Sequence, residues 1–480
     1  MSNIAINYKL NSLQMNFIKN KYVRFGIAGI LYLLWVIWVG NFWLLIGLPI
    51  IFDIYVTKKV NWTPWKKRNQ KNSTIVEWID ALIFAVVAVT IINIFFFQNY
   101  KIPTGSMEKT LLINDHLYVS KLKYGPKLPN TPIAFPFVQN TLPFTTSIKS
   151  YLNWPNWGYK RLKGFSKIKN DDIVVFNFPE GDTVVLEQTA APYYAICRNT
   201  GMQFKMMDEK AGNKIKSDKE YYALGRQEVW SRSTIVAHPV DRRDNYIKRC
   251  VAIPGDTLKI VAGQVYINSK PQKHFEDIQF KYKITTDGSG INPEAFEKLG
   301  IYNDPKTFDD VTEYGNGIYV IPLTEKAVKA LRENVKVKSI ERIVNDDPNA
   351  DIFPHSPKYP WKQDDFGPLW IPKKGVTVKI DVDNLCLYER IIGVYEANKL
   401  EVKDNTIYIN DKPATTYTFK MDYYWMMGDN RHGSSDCRYW GFVPEDHIVG
   451  SPKFIWLSLD PTKSFPANIR WKRMFTSATR

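Results

Sequence analysis

The distribution of apolar residues divides the chain into a membrane-type N-terminal part and a longer part of mixed polarity. Residues 25–56 contain 32 consecutive positions without Lys or Arg, and residues 81–97 contain another 17. A bilayer core of about 30 Å requires about 20 apolar helical residues. The second run therefore predicts one transmembrane helix. The first run predicts either one long tilted span or a hairpin of two short helices that is broken around Gly40 and Asn41.

The charges around these runs indicate how the chain crosses a membrane. Residues up to Ile75 hold ten Lys or Arg against one acidic residue, Asp53. Six of the ten lie between the two runs, and short basic loops stay on the cytoplasmic side. The segments expected on this basis are a basic N-terminal segment (1–24), an apolar membrane region (25–56), a basic cytoplasmic loop (57–74), a transmembrane helix (75–98) and an extracytoplasmic domain (99–480).

The composition of the chain limits which partners and which kinds of site we expect. The 480 residues include 64 Lys or Arg and 48 Asp or Glu, a net charge of +16. Over half of this excess lies beside the apolar runs, which favours membrane topology and anionic headgroups over nucleic acid. The four cysteines form no C-x-x-C pair, and the six histidines are scattered. We therefore expect neither a metal site nor a cofactor.

Residues 101–480 show short β-type runs bounded by Gly, Pro, Asn and Asp, which predicts a mainly β domain with helical patches. One run is DIVVFNF at 172–178. Two others, QVYIN at 264–268 and TIYIN at 406–410, predict a pair of similar hairpins. The spacing of apolar residues predicts a helix over 324–334.

The stretch from 123 to 167 is rich in Pro and aromatic residues and has no clean period. Two interpretations remain open for it. One is an irregular, packed insertion. The other is a surface that contacts the lipid interface, where Trp and Tyr concentrate.

A serine in a tight turn follows the last apolar run, in the sequence Pro103-Thr104-Gly105-Ser106-Met107. Taken alone, Ser106 is an ordinary turn residue. The turn also allows a second interpretation, because it can expose the Ser106 hydroxyl. The Ser106 amide and the Thr104 hydroxyl would then be two donors suitable for an oxyanion hole.

A lysine lies in a run that reads as a buried strand, YIKRCVAI at 246–253. Both faces of this run are largely apolar, which is typical of a strand covered on both sides. Burial would lower the pKa of Lys248 from about 10.4 and leave a neutral amine that can act as a base. The alternative is that Lys248 extends to solvent from a strand end.

A third patch, GDNRHGSSDCRYWGFVP at 428–444, combines turn formers with opposite charges. We expect local ion pairs between Asp429 and Arg431 and between Asp436 and Arg438. A serine here could also hydrogen-bond a lysine amine and orient its lone pair. Calcium binding is disfavoured, because an arginine occupies the middle of the loop.

Together these patches resemble the type I signal peptidases (leader peptidases), a family of membrane-anchored Ser/Lys proteases. The resemblance rests on four stretches that follow an apolar span in the family's order: PTGSMEKTL at 103–111, NDDIVVFNFP at 170–179, YIKRCVAIPGD at 246–256, and the patch at 428–444.

The resemblance implies a role for each matching residue. Ser106 would be the nucleophile, Lys248 the general base and Ser434 the group that orients the lysine. Thr104 and the Ser106 amide would form the oxyanion hole, and Met107 would face the substrate or the membrane. The charged residues expected to support the site structurally are Arg249, Asp429, Asp436 and Arg438.

The resemblance also implies a fold, a substrate and a location. The fold is a mainly antiparallel β catalytic domain after N-terminal transmembrane helices, with large inserted regions at about 123–167, 186–240 and 270–400. The substrates are signal peptides of exported preproteins, cut after small residues at −1 and −3. Membrane lipid and, indirectly, the protein export machinery are the other expected partners. The chain would be multi-pass in a bacterial-type cytoplasmic (inner) membrane, with its catalytic domain outside.

Two other functions stay open at this point. The chain could be another Ser/Lys hydrolase on a membrane anchor, or a β-domain envelope scaffold without activity. The state of two cysteines is open as well. Cys250 and Cys437 are both expected near the site, where they could form a disulfide or, as we favour, remain buried thiols.

Overall fold

The structure is a computed structural model that divides the chain into two units, residues 1–91 and 92–480. Most of the basic N-terminal segment, and Lys67 and Arg68 of the basic loop, lie outside the described residues. The ranges that the structure describes are 20–66, 71–145, 148–189, 191–304, 308–345 and 351–479.

The first apolar run folds as a helical hairpin. Its first helix, Lys21–Val39, ends at Gly40, where a φ of 67° favours a residue without Cβ. The chain returns through a helix at Gly47–Phe52, and the Tyr32 hydroxyl donates to the Leu44 carbonyl at 2.6 Å. The described part of this run is therefore broken at Gly40 into two helical segments, and the number of membrane spans stays a prediction. Two further helical turns belong to the run, Phe42–Ile46 and Asp53–Thr57.

The second apolar run forms the helix Thr74–Phe95. This helix and Lys21–Val39 are both long and apolar enough to cross a membrane. The helix starts within one residue of the predicted start and ends three residues before the predicted end, because a strand begins at Phe97.

A seven-stranded antiparallel sheet forms the centre of the second unit. Its strands, numbered along the chain, are β1 (Phe97–Lys101), β2 (Asp115–Ser120), β3 (Ile173–Asn177), β4 (Asn245–Ala252), β5 (Tyr423–Met427), β6 (Val443–Pro444) and β7 (Ile448–Ser458). Their spatial order is β1-β2-β7-β3-β4-β5-β6.

This sheet is buried on both faces, and the alternation along β3 shows why. Val174 and Phe176 belong to the larger of two apolar clusters, whereas Ile173 and Val175 belong to the other. Side chains of a strand alternate between faces, so an uninterrupted apolar run supplies both clusters. The run DIVVFNF was predicted as a strand, and this prediction is confirmed.

A smaller sheet with its own core follows in the chain. The helix Glu325–Arg332 buries Ala327, Val328 and Leu331 in that core, and the Thr324 hydroxyl caps its N-terminus. The helix predicted over 324–334 is thus confirmed. The strands of this sheet are Gln279–Thr286, Thr312–Glu313, Ile318–Thr324 and Val337–Arg342, and a second helix, Pro293–Lys298, packs in the same core.

The two similar hairpins predicted from sequence have the same register. Tyr266 pairs with Pro271, and Tyr408 pairs with Pro413. The first belongs to a four-stranded sheet and the second to a three-stranded one. Their strands are Thr257–Val261, Gln264–Ile267, Lys270–Pro271 and Phe366–Trp370 in one sheet, and Leu400–Lys403, Thr406–Ile409 and Lys412–Pro413 in the other.

Besides single 3₁₀ and π turns, the remaining described elements are a pair of helices, Tyr193–Ala211 and Asp218–Arg232, two short helices and three small ladders. The single turns are Leu186–Gln188, Val240–Arg242, Ile391–Tyr395, Glu445–His447 and Trp471–Arg473. A mainly β domain with an antiparallel sheet was expected, and the structure has one. The assignment of 123–167, 186–240 and 270–400 as insertions stays a prediction. The two short helices are Leu385–Arg390 and Cys437–Trp440. The three ladders pair Thr183–Val185 with Ile235–Ala237, Asn303–Asp304 with Phe308–Asp309, and Thr377–Lys379 with Thr416–Thr418.

Candidate active site

The turn that carries Ser106 connects β1 to β2 and is fixed by the loop after β5. Thr104 is extended, and Gly105–Met107 form a single helical turn. The Asn430 amide side chain donates to the Gly105 carbonyl at 3.2 Å, and its backbone N–H donates to the Ser106 carbonyl at 3.2 Å. The backbone of the turn is therefore held from one side, and Ser106 itself is nearly buried.

Lys248 extends from the middle of β4, where it pairs with Val174 of β3. Its side chain is 4% exposed, and its Nζ lies 2.6 Å from the Ser106 Oγ. Two residues predicted from separate motifs, 142 positions apart in the chain, are thus in hydrogen-bond contact. This distance is within the range at which a base can accept a hydroxyl proton.

The surroundings of Lys248 favour the neutral amine. Burial lowers the pKa of its ammonium group from 10.5 to about 8, while the carboxylates of Asp436 and Asp429 act in the opposite direction. Each of these carboxylates is paired with an arginine, as described below. Since their charges are already matched, burial is the larger effect on the lysine.

Asp429 pairs with Arg249, which follows the lysine on β4. The guanidinium contacts both carboxylate oxygens, at 2.8 and 2.6 Å, and Thr110 donates to the same carboxylate at 2.6 Å. The expected local pair of Asp429 with Arg431 is therefore wrong. The ladder between β4 and β5 aligns Arg249 with Met427, which brings Arg249 to Asp429 from a distant part of the chain.

Arg431 has other partners. Its guanidinium donates to the Gln272 side chain at 3.2 Å, and burial lowers its pKa to about 10.

The second expected pair, Asp436 with Arg438, is present in the structure. The guanidinium contacts both oxygens of Asp436, at 2.9 and 2.8 Å. The same carboxylate accepts the Gly428 N–H at 3.0 Å. Asp436 therefore ties the start of the 428–444 patch to its helix Cys437–Trp440.

Ser434 lies beside the Ser106 turn but makes no hydrogen bond to the lysine in this structure. Its hydroxyl is buried and has no partner among the described residues. A Cβ placed on Gly428 would lie 2.2 Å from the Ser434 Oγ and 2.5 Å from the Ser106 carbonyl. Gly428 thus allows the two serine segments to approach closely, and the orienting role of Ser434 stays a prediction.

Thr104 and Met107 differ in exposure. Thr104 is an exposed residue of the turn. Met107 is completely buried in the smaller cluster with Leu111 and Leu117. Met107 therefore packs inside the domain instead of facing substrate or membrane as expected, because the helical turn points its side chain into the core.

Sequence reasoning missed Glu108. This residue is 1% exposed, and neither carboxylate oxygen has a hydrogen-bond partner among the described residues. Burial raises the pKa of its carboxyl group to about 7. Only its position, two residues after Ser106, could have drawn attention to it.

The four cysteines are free thiols, and Cys250 and Cys437 are fully buried. The thiol of Cys437 accepts the Met426 N–H at 3.0 Å. The favoured expectation of buried thiols agrees with the structure.

Comparison with known proteins gives consistent matches. The family model "Signal peptidase, peptidase S26" matches residues 75–310 and 414–457, which is more than half of the chain. A protein named signal peptidase I from Buchnera aphidicola subsp. Acyrthosiphon pisum is 22% identical over 446 residues, 91% of this chain and 94% of that protein.

Two further relatives carry the same name. Signal peptidase I of Haemophilus influenzae is 23% identical over 412 residues, 84% of this chain and 75% of that protein. Signal peptidase I of Helicobacter pylori strain J99 is 42% identical over a shorter stretch of 66 residues, 12% of this chain and 23% of that protein.

Proposed function

The chain belongs to the peptidase S26 family of signal peptidases, and from this premise we propose that it is a membrane-bound serine endopeptidase that works by a Ser/Lys dyad. It would remove signal peptides from exported preproteins, cutting after small residues at −1 and −3. The observation that carries the proposal is the 2.6 Å contact between the Lys248 Nζ and the Ser106 Oγ.

The burial of Lys248 supports its role as general base. A lysine in water is almost entirely protonated at neutral pH. With a pKa of about 8, about a tenth of the molecules carry the neutral amine at pH 7 and about half do so at pH 8. The base is thus available without a histidine.

The proposed reaction uses Lys248 and the residues of the Ser106 turn. The neutral amine of Lys248 accepts the Ser106 proton while Oγ attacks the scissile carbonyl carbon. The Thr104 hydroxyl and the Ser106 N–H donate to the oxyanion. The resulting ammonium protonates the leaving amine, and the neutral amine activates the water that hydrolyses the acyl-enzyme. Ser434 would orient the amine after a rotation of its buried hydroxyl.

The paired charges would give this site its rigidity. Arg249 with Asp429 and Arg438 with Asp436 keep two carboxylates matched within the loop that holds Ser106. Without their arginines, these carboxylates would raise the pKa of Lys248 further. We propose that all four residues are structural supports of the dyad.

The substrate would lie extended, as an added strand along a sheet edge. The candidate spans and the basic loop between them support a cytoplasmic loop and an outer catalytic domain. The proposal therefore locates cleavage at the outer face of a bacterial-type cytoplasmic membrane.

The test is cleavage of a preprotein with an Ala-x-Ala site by the detergent-solubilised full chain. Ser106→Ala and Lys248→Ala should each lower kcat about a thousandfold or more, as removal of a nucleophile or its base does. Lys259→Ala, at an exposed position of the strand Thr257–Val261, is the matched control and should cleave normally. Thermal unfolding shows whether each variant is folded.

Two further measurements test the proposal. Cleavage by the wild type should rise with pH through about 8, the pKa of Lys248, because only the neutral amine is a base. Replacing the −1 Ala of the substrate by Phe should abolish cleavage. If folded Ser106→Ala or Lys248→Ala still cut at the wild-type rate, the dyad is wrong, and the scaffold alternative gains support.

A further inference from the structure

The segment 123–167, called here the aromatic segment, exposes large aromatic side chains on an ordered base. Phe165 is 86% exposed, Trp154 is 81% exposed and Phe144 is fully exposed. Soluble surfaces rarely hold so many large apolar side chains close together in sequence, and such patches mark interaction sites. The other exposed apolar residues of the segment are Ile133, Phe135, Phe137, Ile148, Leu152 and Trp157.

The base of the segment is fixed to the catalytic domain by partly buried polar contacts. The Thr131 N–H donates to Asp241 at 2.9 Å, and the Arg242 guanidinium donates to the Thr131 carbonyl at 2.9 Å. Lys127 donates to the Asn177 side chain at 2.9 Å. The exposed aromatic residues therefore extend from an anchored support, and no described side chain covers them.

Two of these aromatic residues occupy strained backbone positions. Phe137 and Phe144 have φ values of 65° and 64°. This left-handed region suits Gly or Asn and disfavours a bulky residue. A phenylalanine at both positions, exposed and without a packing role, indicates that the aromatic ring itself serves a purpose outside the fold.

The charge of the segment identifies the chemistry of the partner. Residues 123–167 contain seven Lys or Arg and no Asp or Glu. Lys160, Lys163 and Lys167 are exposed in the same stretch as Trp157 and Phe165. Aromatic side chains together with lysines are the composition that binds the headgroup region of anionic bilayers.

We propose that the aromatic segment is a second membrane contact of this chain, with its exposed aromatic rings in the headgroup region of an anionic bilayer and its lysines against the lipid phosphates. This inference rests on the proposed membrane location of the catalytic domain. The contact would be additional to the candidate spans and would hold the catalytic domain against the bilayer.

The experiment measures whether a label at one exposed position of the segment lies in lipid or in water. Phe144→Cys, in a Cys386→Ser background, carries a nitroxide label on the full chain in vesicles of phosphatidylglycerol and phosphatidylcholine. The matched control is Val335→Cys, which is 97% exposed and lies outside the segment. Collisions of the label with oxygen, which enriches in lipid, are compared with those with a water-soluble nickel chelate.

We expect the label at position 144 to be oxygen-rich and to collide with nickel severalfold less often than the label at 335. In vesicles of phosphatidylcholine alone this protection should weaken, since the lysines lose their anionic partners. Equal nickel collisions at both positions would overturn the proposal. Protection from both reagents would also overturn it, since it would show that another protein or a second copy covers the segment.

Preprotein cleavage is measured on the same vesicles. Normal cleavage with an aqueous label at 144 would reject the lipid contact alone. A lipid-protected label without cleavage would reject the peptidase proposal alone.

Discussion

Folded proteins usually bury apolar side chains and expose charged ones. The surroundings of Lys248 and the aromatic segment depart from this rule in opposite ways. Around Lys248, charged groups are buried, whereas in the aromatic segment large apolar groups are exposed. Two of the buried carboxylates are matched by arginines within the chain, Asp429 by Arg249 and Asp436 by Arg438. The exposed rings have no cover in the described part of the chain. Both departures are informative, but the first indicates a role inside the fold and the second a role outside it.

The strongest test of this difference is Arg249→Ala. It leaves the Asp429 carboxylate buried with Thr110 as its remaining side-chain donor, and removing one partner of a buried ion pair costs about 3 to 5 kcal/mol. Unfolding of the full chain in detergent, followed by urea titration, measures the loss.

The control is an ion pair of the same kind at the surface. Lys399 and Asp411 are 2.6 Å apart but 55% and 71% exposed, so Lys399→Ala should cost about 1 kcal/mol or less. If both substitutions cost the same, the buried charges are not matched as described.

The pair of Arg249 with Asp429 also shows where sequence reasoning ends. Alternation predicted the strand that carries Lys248, and turn chemistry with a family resemblance selected Ser106. Both of these are local signals. The register between β4 and β5 brings Arg249 to Asp429, 180 positions away in the chain, and no local period predicts this contact. The burial of Met107 and of Glu108 depends on the same kind of long-range packing and was not predictable.

A second prediction uses the cost of burying the lysine itself. With a pKa of 10.5 unfolded and about 8 folded, the ammonium destabilises the fold by up to about 3 kcal/mol at pH 7. Lys248→Met should therefore be inactive and yet more stable than the wild type by up to that amount. The gain should shrink between pH 8 and pH 10.5, where the folded lysine releases its proton first. A loss of stability at pH 7 would contradict the assigned burial cost.

Glu108 should show a smaller effect with the opposite pH dependence. Its carboxyl pKa is 4.5 unfolded and about 7 folded, so the carboxylate destabilises the fold fully above pH 7 and not at all below pH 4.5. Glu108→Gln removes the charge but leaves a buried amide with few partners, which costs about 1 kcal/mol or more. We expect a net gain of about 1 to 2 kcal/mol at pH 8 that disappears at pH 5. A gain that is constant with pH would show that the charge is not its origin.

The smallest effect is expected in the aromatic segment, with Phe144→Gly. Glycine relieves the left-handed backbone strain, worth about 1 kcal/mol, but adds chain entropy to the unfolded state, worth about 0.5 to 1 kcal/mol. Because the ring is fully exposed, no packing is lost, and the free energy of unfolding in detergent should change by about 0.5 kcal/mol or less. Phe176→Ala, at a fully buried ring of β3, is the contrasting variant and should cost about 3 to 5 kcal/mol. If Phe144→Gly instead cost more than about 1 kcal/mol, the ring would contribute to the fold, and its exposure would no longer require an external partner.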